Sequence, residues 1–104
     1  MINQDRLVKR FIDYVQIDSP TNYELDFANH LIKELENLGF EVEMDDAGGK
    51  VGGNSGNLIA KLKGKKEGQT ILFSAHMDTV SPGRGIKPVI KDGIIYSDGT
   101  TVLG

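Results

Sequence analysis

The segment Thr70-Ile-Leu-Phe-Ser-Ala-His-Met-Asp-Thr-Val80 constrains the fold more than any other part of the chain. Ile71, Leu72, Phe73 and Ala75 form a short, nearly continuous apolar run, the pattern of a strand covered on both faces in an α/β sheet. Such a strand leaves no face for water. It also ends in chemistry, because His76 and Asp78 fall just past its carboxyl end, where open α/β sheets carry their sites. Residues two apart in an extended segment point to the same side, so an imidazole and a carboxylate can address one space. The His-x-Asp spacing alone fits two readings: a metal ligand with its partner, or a histidine tied structurally to a neighbouring oxygen.

The flanking sequence supplies the elements that would cover such a strand. Asn3 is placed to cap a first helix with Leu7, Val8, Phe11, Ile12 and Val15 on one face, and Asp5 suits its positive end. That helix must stop before Asp18-Ser-Pro20, since the residue preceding proline is pushed out of the α region. A second helix is expected from Thr21 or Asn22, where Thr21-Asn-Tyr-Glu24 has the form of a capping box. Phe27, Ala28, Leu31, Ile32, Leu35 and Leu38 then recur at helical spacing, and Gly39 offers a stop. His30 lies within this periodic stretch and reads as an exposed or half-exposed helix residue.

Phe40-Glu-Val-Glu-Met-Asp45 alternates apolar and acidic residues, which predicts a strand with solvated carboxylates on one face. Gly48 to Gly56 is glycine-rich but lacks the Gly-Lys-Ser/Thr ending of a phosphate cradle, so a flexible loop is expected. Asn57-Leu-Ile-Ala-Lys-Leu62 reads as the next strand, and Lys63 to Gln69 as a turn into the histidine segment. Further on, Pro88 to Tyr96 forms a hairpin pattern around Asp92-Gly93. Asp98 in Ser97-Asp-Gly99 is first a turn residue. Helix, helix, strand, strand, strand fits the opening of a three-layer α/β domain with a mixed sheet.

Composition excludes several function classes. With 104 residues, 38% hydrophobic and 26% charged, the chain is globular in character and well below the size of a two-domain hydrolase. A net charge of −3 gives no footprint for nucleic acid or an anionic membrane. The absence of cysteine leaves nitrogen and oxygen as the available metal donors. The first residues lack the apolar core of a signal peptide, no apolar run approaches the roughly 20 residues of a membrane span, and the cytoplasm is the simplest expected location.

Downstream of His76 and Asp78 stand, in order, Pro82-Gly-Arg-Gly85, Ile86-Lys-Pro88, Asp92-Gly93 and Ser97-Asp-Gly-Thr-Thr-Val-Leu-Gly104. This ordered set resembles the M20 metallopeptidase family, and most closely its peptidase T-like branch. The resemblance implies a partial three-layer α/β/α zinc-exopeptidase catalytic domain with a mixed sheet, of which residues 1–104 are the amino-terminal part. It implies that His76 is a metal ligand and that Asp78 is the catalytic-site carboxylate that orients it. It also implies two divalent ions, zinc first among them, and a short peptide substrate cleaved as by an aminopeptidase. A lid or dimerisation domain would be absent, and association into a homodimer is compatible with the pattern.

In that family an aspartate following Leu-Gly bridges the two ions, and paired glutamates, a further carboxylate and a second ligand histidine come later. Residues 1–104 contain no Glu-Glu pair, and their other histidine is His30. The isolated chain is therefore expected to be inactive and to bind zinc weakly. Two alternatives stay open: an M20-type deacylase or carboxypeptidase, and, in another class, a non-catalytic binding module.

Overall fold

A computed structural model describes all 104 residues. Helix α1 spans Gln4–Val15, and Asn3 caps it through a side-chain oxygen that accepts from the Arg6 amide at 3.0 Å. Helix α2 spans Leu25–Asn37. It ends in a Schellman motif, in which the Phe40 amide donates to the Leu35 carbonyl (3.0 Å) and the Gly39 amide to the Glu36 carbonyl (2.9 Å). Gly39 takes φ +90°, a conformation that glycine adopts without cost.

Strand β1 (Glu41–Met44) pairs antiparallel with strand β2 (Leu58–Lys61), Glu41 opposite Lys61 and Met44 opposite Leu58. The expected alternation holds: Val42 and Met44 are half-buried, while Glu41 and Glu43 face water. Helix α2 lies against both strands. Strand β3 (Val89–Lys91) and strand β4 (Ile94–Tyr96) form the hairpin read from Asp92-Gly93, whose two turn residues take φ +51° and +74°, the left-handed pair of a type I′ turn. Both sheets are antiparallel pairs, and parallel pairing is confined to one bridge, Pro20 to Thr79. No helix is long and apolar enough to cross a membrane.

Three expectations need correction. The run Ile71 to Ala75 is not a buried strand: it pairs with no other strand, and Leu72 and Phe73 are 88% and 90% exposed. The physical reason is supply, since β2 bonds only to β1 and residues 1–104 place no layer over this segment. The capping box is not formed either. Helix α2 starts at Leu25 rather than near Thr21, Glu24 makes no side-chain cap bond, and the Leu25 amide takes Asn54 Oδ1 at 3.1 Å.

The third correction concerns the glycine-rich loop, which is closed on itself by hydrogen bonds. Asp45 Oδ1 accepts from the Ala47 (3.0 Å) and Asn57 (2.7 Å) amides, and Oδ2 accepts from the Asn57 side chain at 2.9 Å. These bonds to Asn57 and Ala47 hold the Asp45 carboxyl below its usual range. A short helical turn, α3 (Ala47–Lys50), sits inside the closure. Glycine is needed at position 56 because a Cβ there would overlap the Asp45 carbonyl oxygen.

The core is thin. Val15, Ala28 and Ile86 are its buried apolar members, and the molecule is a slab of 47 × 39 × 21 Å with a radius of gyration of 15.7 Å, against roughly 13 Å for a compact chain of this length. Helices α1 and α2 meet around Tyr14, whose ring stands edge-on to Phe27 (5.3 Å) and His30 (5.5 Å) and whose hydroxyl donates to Glu34 Oε2. His30 is half-exposed as expected, with its Nε2 3.8 Å from Glu34 Oε1. Burial, then the hydrogen bond to Glu34 and its charge, push the Tyr14 phenol up to about 12.

Two outcomes follow. Gly56→Ala should cost at least about 2 kcal/mol, because the Cβ forces the loop open, whereas Gly49→Ala, with open space around its Cβ, should leave thermal unfolding within about 0.5 kcal/mol of wild type. In an ultraviolet titration Tyr14 should ionise near pH 12 rather than the ordinary 10.0. A folded-state pKa above the unfolded one means the folded chain keeps a proton that the unfolded chain releases. This contribution to stability is complete below pH 10 and is lost as pH rises to 12; Glu34→Gln should move the phenol back toward its ordinary value.

Candidate functional site

The site is built on a turn held from the far side of the chain. Pro20 confines Ser19 to extended backbone, and the Thr79 amide donates to the Ser19 carbonyl at 2.8 Å beside the Pro20–Thr79 bridge. Thr79 Oγ1 donates to the same carbonyl at 3.2 Å. The Ser19 hydroxyl, on a residue only 3% exposed, donates to the Met77 carbonyl at 2.8 Å. Thr21 Oγ1 donates to Asp78 Oδ2 at 2.8 Å. Just before Ser19, Asp18 Oδ1 accepts the Gly85 amide at 2.8 Å, which ties the loop after the site to the same connection.

On this platform the structure brings His76 and Asp78 together. His76 Nδ1 lies 2.8 Å from the Asp78 carbonyl oxygen and 3.1 Å from Asp78 Oδ1. Both neighbours are acceptors, so Nδ1 must carry the ring proton. In the neutral imidazole the lone pair then belongs to Nε2. The side chain is 83% exposed, so that lone pair is open to solvent.

Hydrogen bonds from Thr21 and then His76 hold the Asp78 carboxyl below its usual range, against the opposing effect of burial. It is therefore an anion at neutral pH. A fixed tautomer, an anionic partner and an exposed Nε2 are what an imidazole needs in order to take a divalent cation. The donor set fits one ligand position of a nitrogen and oxygen site, and no group of three or more His, Asp or Glu side chains gathers anywhere in the chain, this site included.

An open cleft of about 590 Å³ borders the site, with Ala75 to Asp78 on one wall and Leu31 and Leu35 of α2, Leu58 and Ala60 of β2 and the 45–57 loop on the others. Asp98 stays in its own turn, Oδ1 accepting from the Thr100 amide (3.0 Å) and hydroxyl (2.5 Å). Both bonds lower its carboxyl.

Ser19 and Thr21 were not legible as site residues. Thr21-Asn-Tyr-Glu24 has the spelling of a helix cap, and that local explanation is complete without a distant partner. The available signal was weaker: two hydroxyl residues flanking a proline in a short connection between helices.

No family model matches the chain. The fold is similar to that of the aminopeptidase PepT from Bacillus cereus ATCC 10987, with 53% identity and a TM-score of 0.95 over 99% of this chain and 28% of that one. It is similar also to a tripeptidase, SAV1512, from Staphylococcus aureus subsp. aureus Mu50, with 40% identity and a TM-score of 0.96 over 100% of this chain and 28% of that one. Among curated proteins, a putative [LysW]-lysine/[LysW]-ornithine hydrolase of Pyrococcus furiosus is 39% identical over 95% of this chain and 27% of its own length. The chain spans about a quarter of the curated relatives it matches, 25% to 28% of their length.

Removing the Ser19 hydroxyl tests the platform. Ser19→Ala leaves the Met77 carbonyl without its buried donor and should cost about 1–3 kcal/mol, read as a lower urea midpoint with an unchanged m-value.

Proposed function

We infer, from a chain that belongs to the peptidase T-like branch of the M20 peptidase family, that the whole protein is a metal-dependent exopeptidase acting on short peptides as an aminopeptidase. Residues 1–104 form the amino-terminal part of its catalytic domain. One observation carries this reading: Nδ1 of His76 is turned onto Asp78, which in the neutral ring leaves the Nε2 lone pair facing solvent. The solved relatives of the same fold, an aminopeptidase and a tripeptidase, support the substrate class.

His76 would hold a divalent ion, zinc by preference, through Nε2. Asp78 stays ionised, accepts the Nδ1 proton and keeps the ring in one tautomer and one plane, which raises the basicity of the opposite nitrogen. The Ser19 bonds to Met77 and Thr79 fix the backbone on either side of Asp78, so the carboxylate does not drift with the turn. When bound, the metal supplies the Lewis acidity that polarises a scissile carbonyl and makes water a competent nucleophile near neutral pH. A single imidazole does not enclose zinc, because protein zinc sites use three or four protein ligands. Residues 1–104 alone would accordingly bind it weakly.

A second reading has a specific basis in the similarity to the Pyrococcus furiosus hydrolase. An M20-type deacylase or amidohydrolase would share His76 and Asp78 and differ in what the cleft accepts. The full-length protein should release the amino-terminal residue from tripeptides, lose activity to a chelator and regain it with zinc. Turnover of acylated amino acids without release from tripeptides would move the assignment to the second reading. His76→Ala should lower kcat by at least about 100-fold and weaken zinc binding in equilibrium dialysis; wild-type zinc affinity in that variant would sink the ligand role.

A further inference from the structure

We propose that Thr21 is a positioning residue for His76, acting through Asp78. The proposal rests on the reading of His76 as a ligand and extends its support by one hydrogen bond. Asp78 is the pivot: Oδ2 takes the Thr21 hydroxyl at 2.8 Å, and Oδ1 faces His76 Nδ1 at 3.1 Å. A carboxylate at the end of a short side chain rotates over a broad χ2 well, and the side chain here is 38% exposed. Engaging one oxygen on a fixed donor points the other at the ring.

The donor is itself held. The Pro20 carbonyl accepts the Tyr23 amide at 2.8 Å, and Pro20 bridges to Thr79. Asn22 takes φ +74°, with its amide donated to Glu24 Oε1 at 2.8 Å and its carbonyl accepting the Asn54 amide at 3.0 Å. Thr21 thus sits between two restrained residues. Its hydroxyl bonds to Asp78 and makes no bond to helix α2, although its sequence position suits a helix cap. The helix start is served by Asn54 instead. A threonine diverted from capping to a carboxylate 57 residues away has a role in the site, and Thr21–Asp78–His76 is a relay of orientation across three side chains.

The test compares Thr21→Val, which keeps the shape and loses the donor, with Thr21→Ser, which keeps the donor, and His76→Ala, all in the full-length protein. Nitrogen-15 NMR of the metal-free protein, at a pH well above the ordinary imidazole range, reads the tautomer of His76. Competition with a chromophoric chelator reads zinc affinity. Thr21→Val should reduce the Nδ1–H population and weaken zinc by about 3- to 10-fold, less than the roughly 10- to 100-fold cost of losing a ligand's direct partner. Thr21→Ser should return both to within about twofold of wild type, and KM for a tripeptide should stay unchanged in the zinc-saturated enzyme.

Unchanged tautomer and affinity in Thr21→Val, or no rescue by Thr21→Ser, overturns the proposal. A Thr21→Val protein that does not fold also overturns it, by making Thr21 a structural residue. If His76→Ala leaves zinc affinity intact, the underlying ligand reading fails first, and that outcome is distinguishable from a failure of Thr21 alone.

Discussion

The structure depends on the grip of residues 18–21 on residues 77–85. Ser19 donates to Met77 and accepts from Thr79, Thr21 donates to Asp78, and Asp18 accepts from Gly85. These contacts join residues 57 to 67 positions apart, in a chain whose strands form two local antiparallel sheets. Each bond is worth about 1 kcal/mol net. Their geometric effect is larger than their energy, because they set the backbone from which both His76 and Asp78 project. Without them the histidine would stand at the end of an unpaired, solvent-exposed segment with nothing to define its direction.

That segment shows how an apolar pattern and its surroundings can disagree. Ile71, Leu72 and Phe73 carry the composition of a strand buried on both faces, yet they lie in water within residues 1–104. Apolar surface is worth roughly 25 cal/mol per Å² when removed from water, so this exposure forgoes several kcal/mol. The same holds in milder form for Leu7 and Phe11 on α1, whose apolar stripe is wider than the face that the rest of the chain covers. Fold elements here are set by local chemistry and by a few long-range hydrogen bonds, and the thin core around Val15, Ala28 and Ile86 contributes little.

Where a local rule had no competitor, the sequence was a sound guide. Asn3 caps α1, Gly39 ends α2, Val42 and Met44 alternate inward, and Asp92-Gly93 turns the hairpin, each for a reason contained within a few residues. The pair His76 and Asp78 was legible for the same reason, since a spacing of two already brings the side chains near each other. The 45–57 loop was not. Its glycines suggested freedom, but Asp45 and Asn57 close it, and Gly56 is present because another backbone passes within reach of any Cβ. Thr21 misled for the opposite reason, because a complete local explanation concealed a distant partner.

The sequence by itself determined the two helices, the alternating strand, the hairpin and the identity of the His-x-Asp pair. All of these follow from steric preferences, periodicity and side-chain chemistry at short range. Only the tertiary structure decided which nitrogen of His76 bears the proton, which oxygen of Asp78 faces it and which hydroxyl holds the other oxygen. The last of these rests on a hydrogen bond between residues 57 apart, which turns the carboxylate toward a ring only two residues away, and a hydrogen bond is directional. Its partner is chosen by position in space, which short-range pattern does not encode.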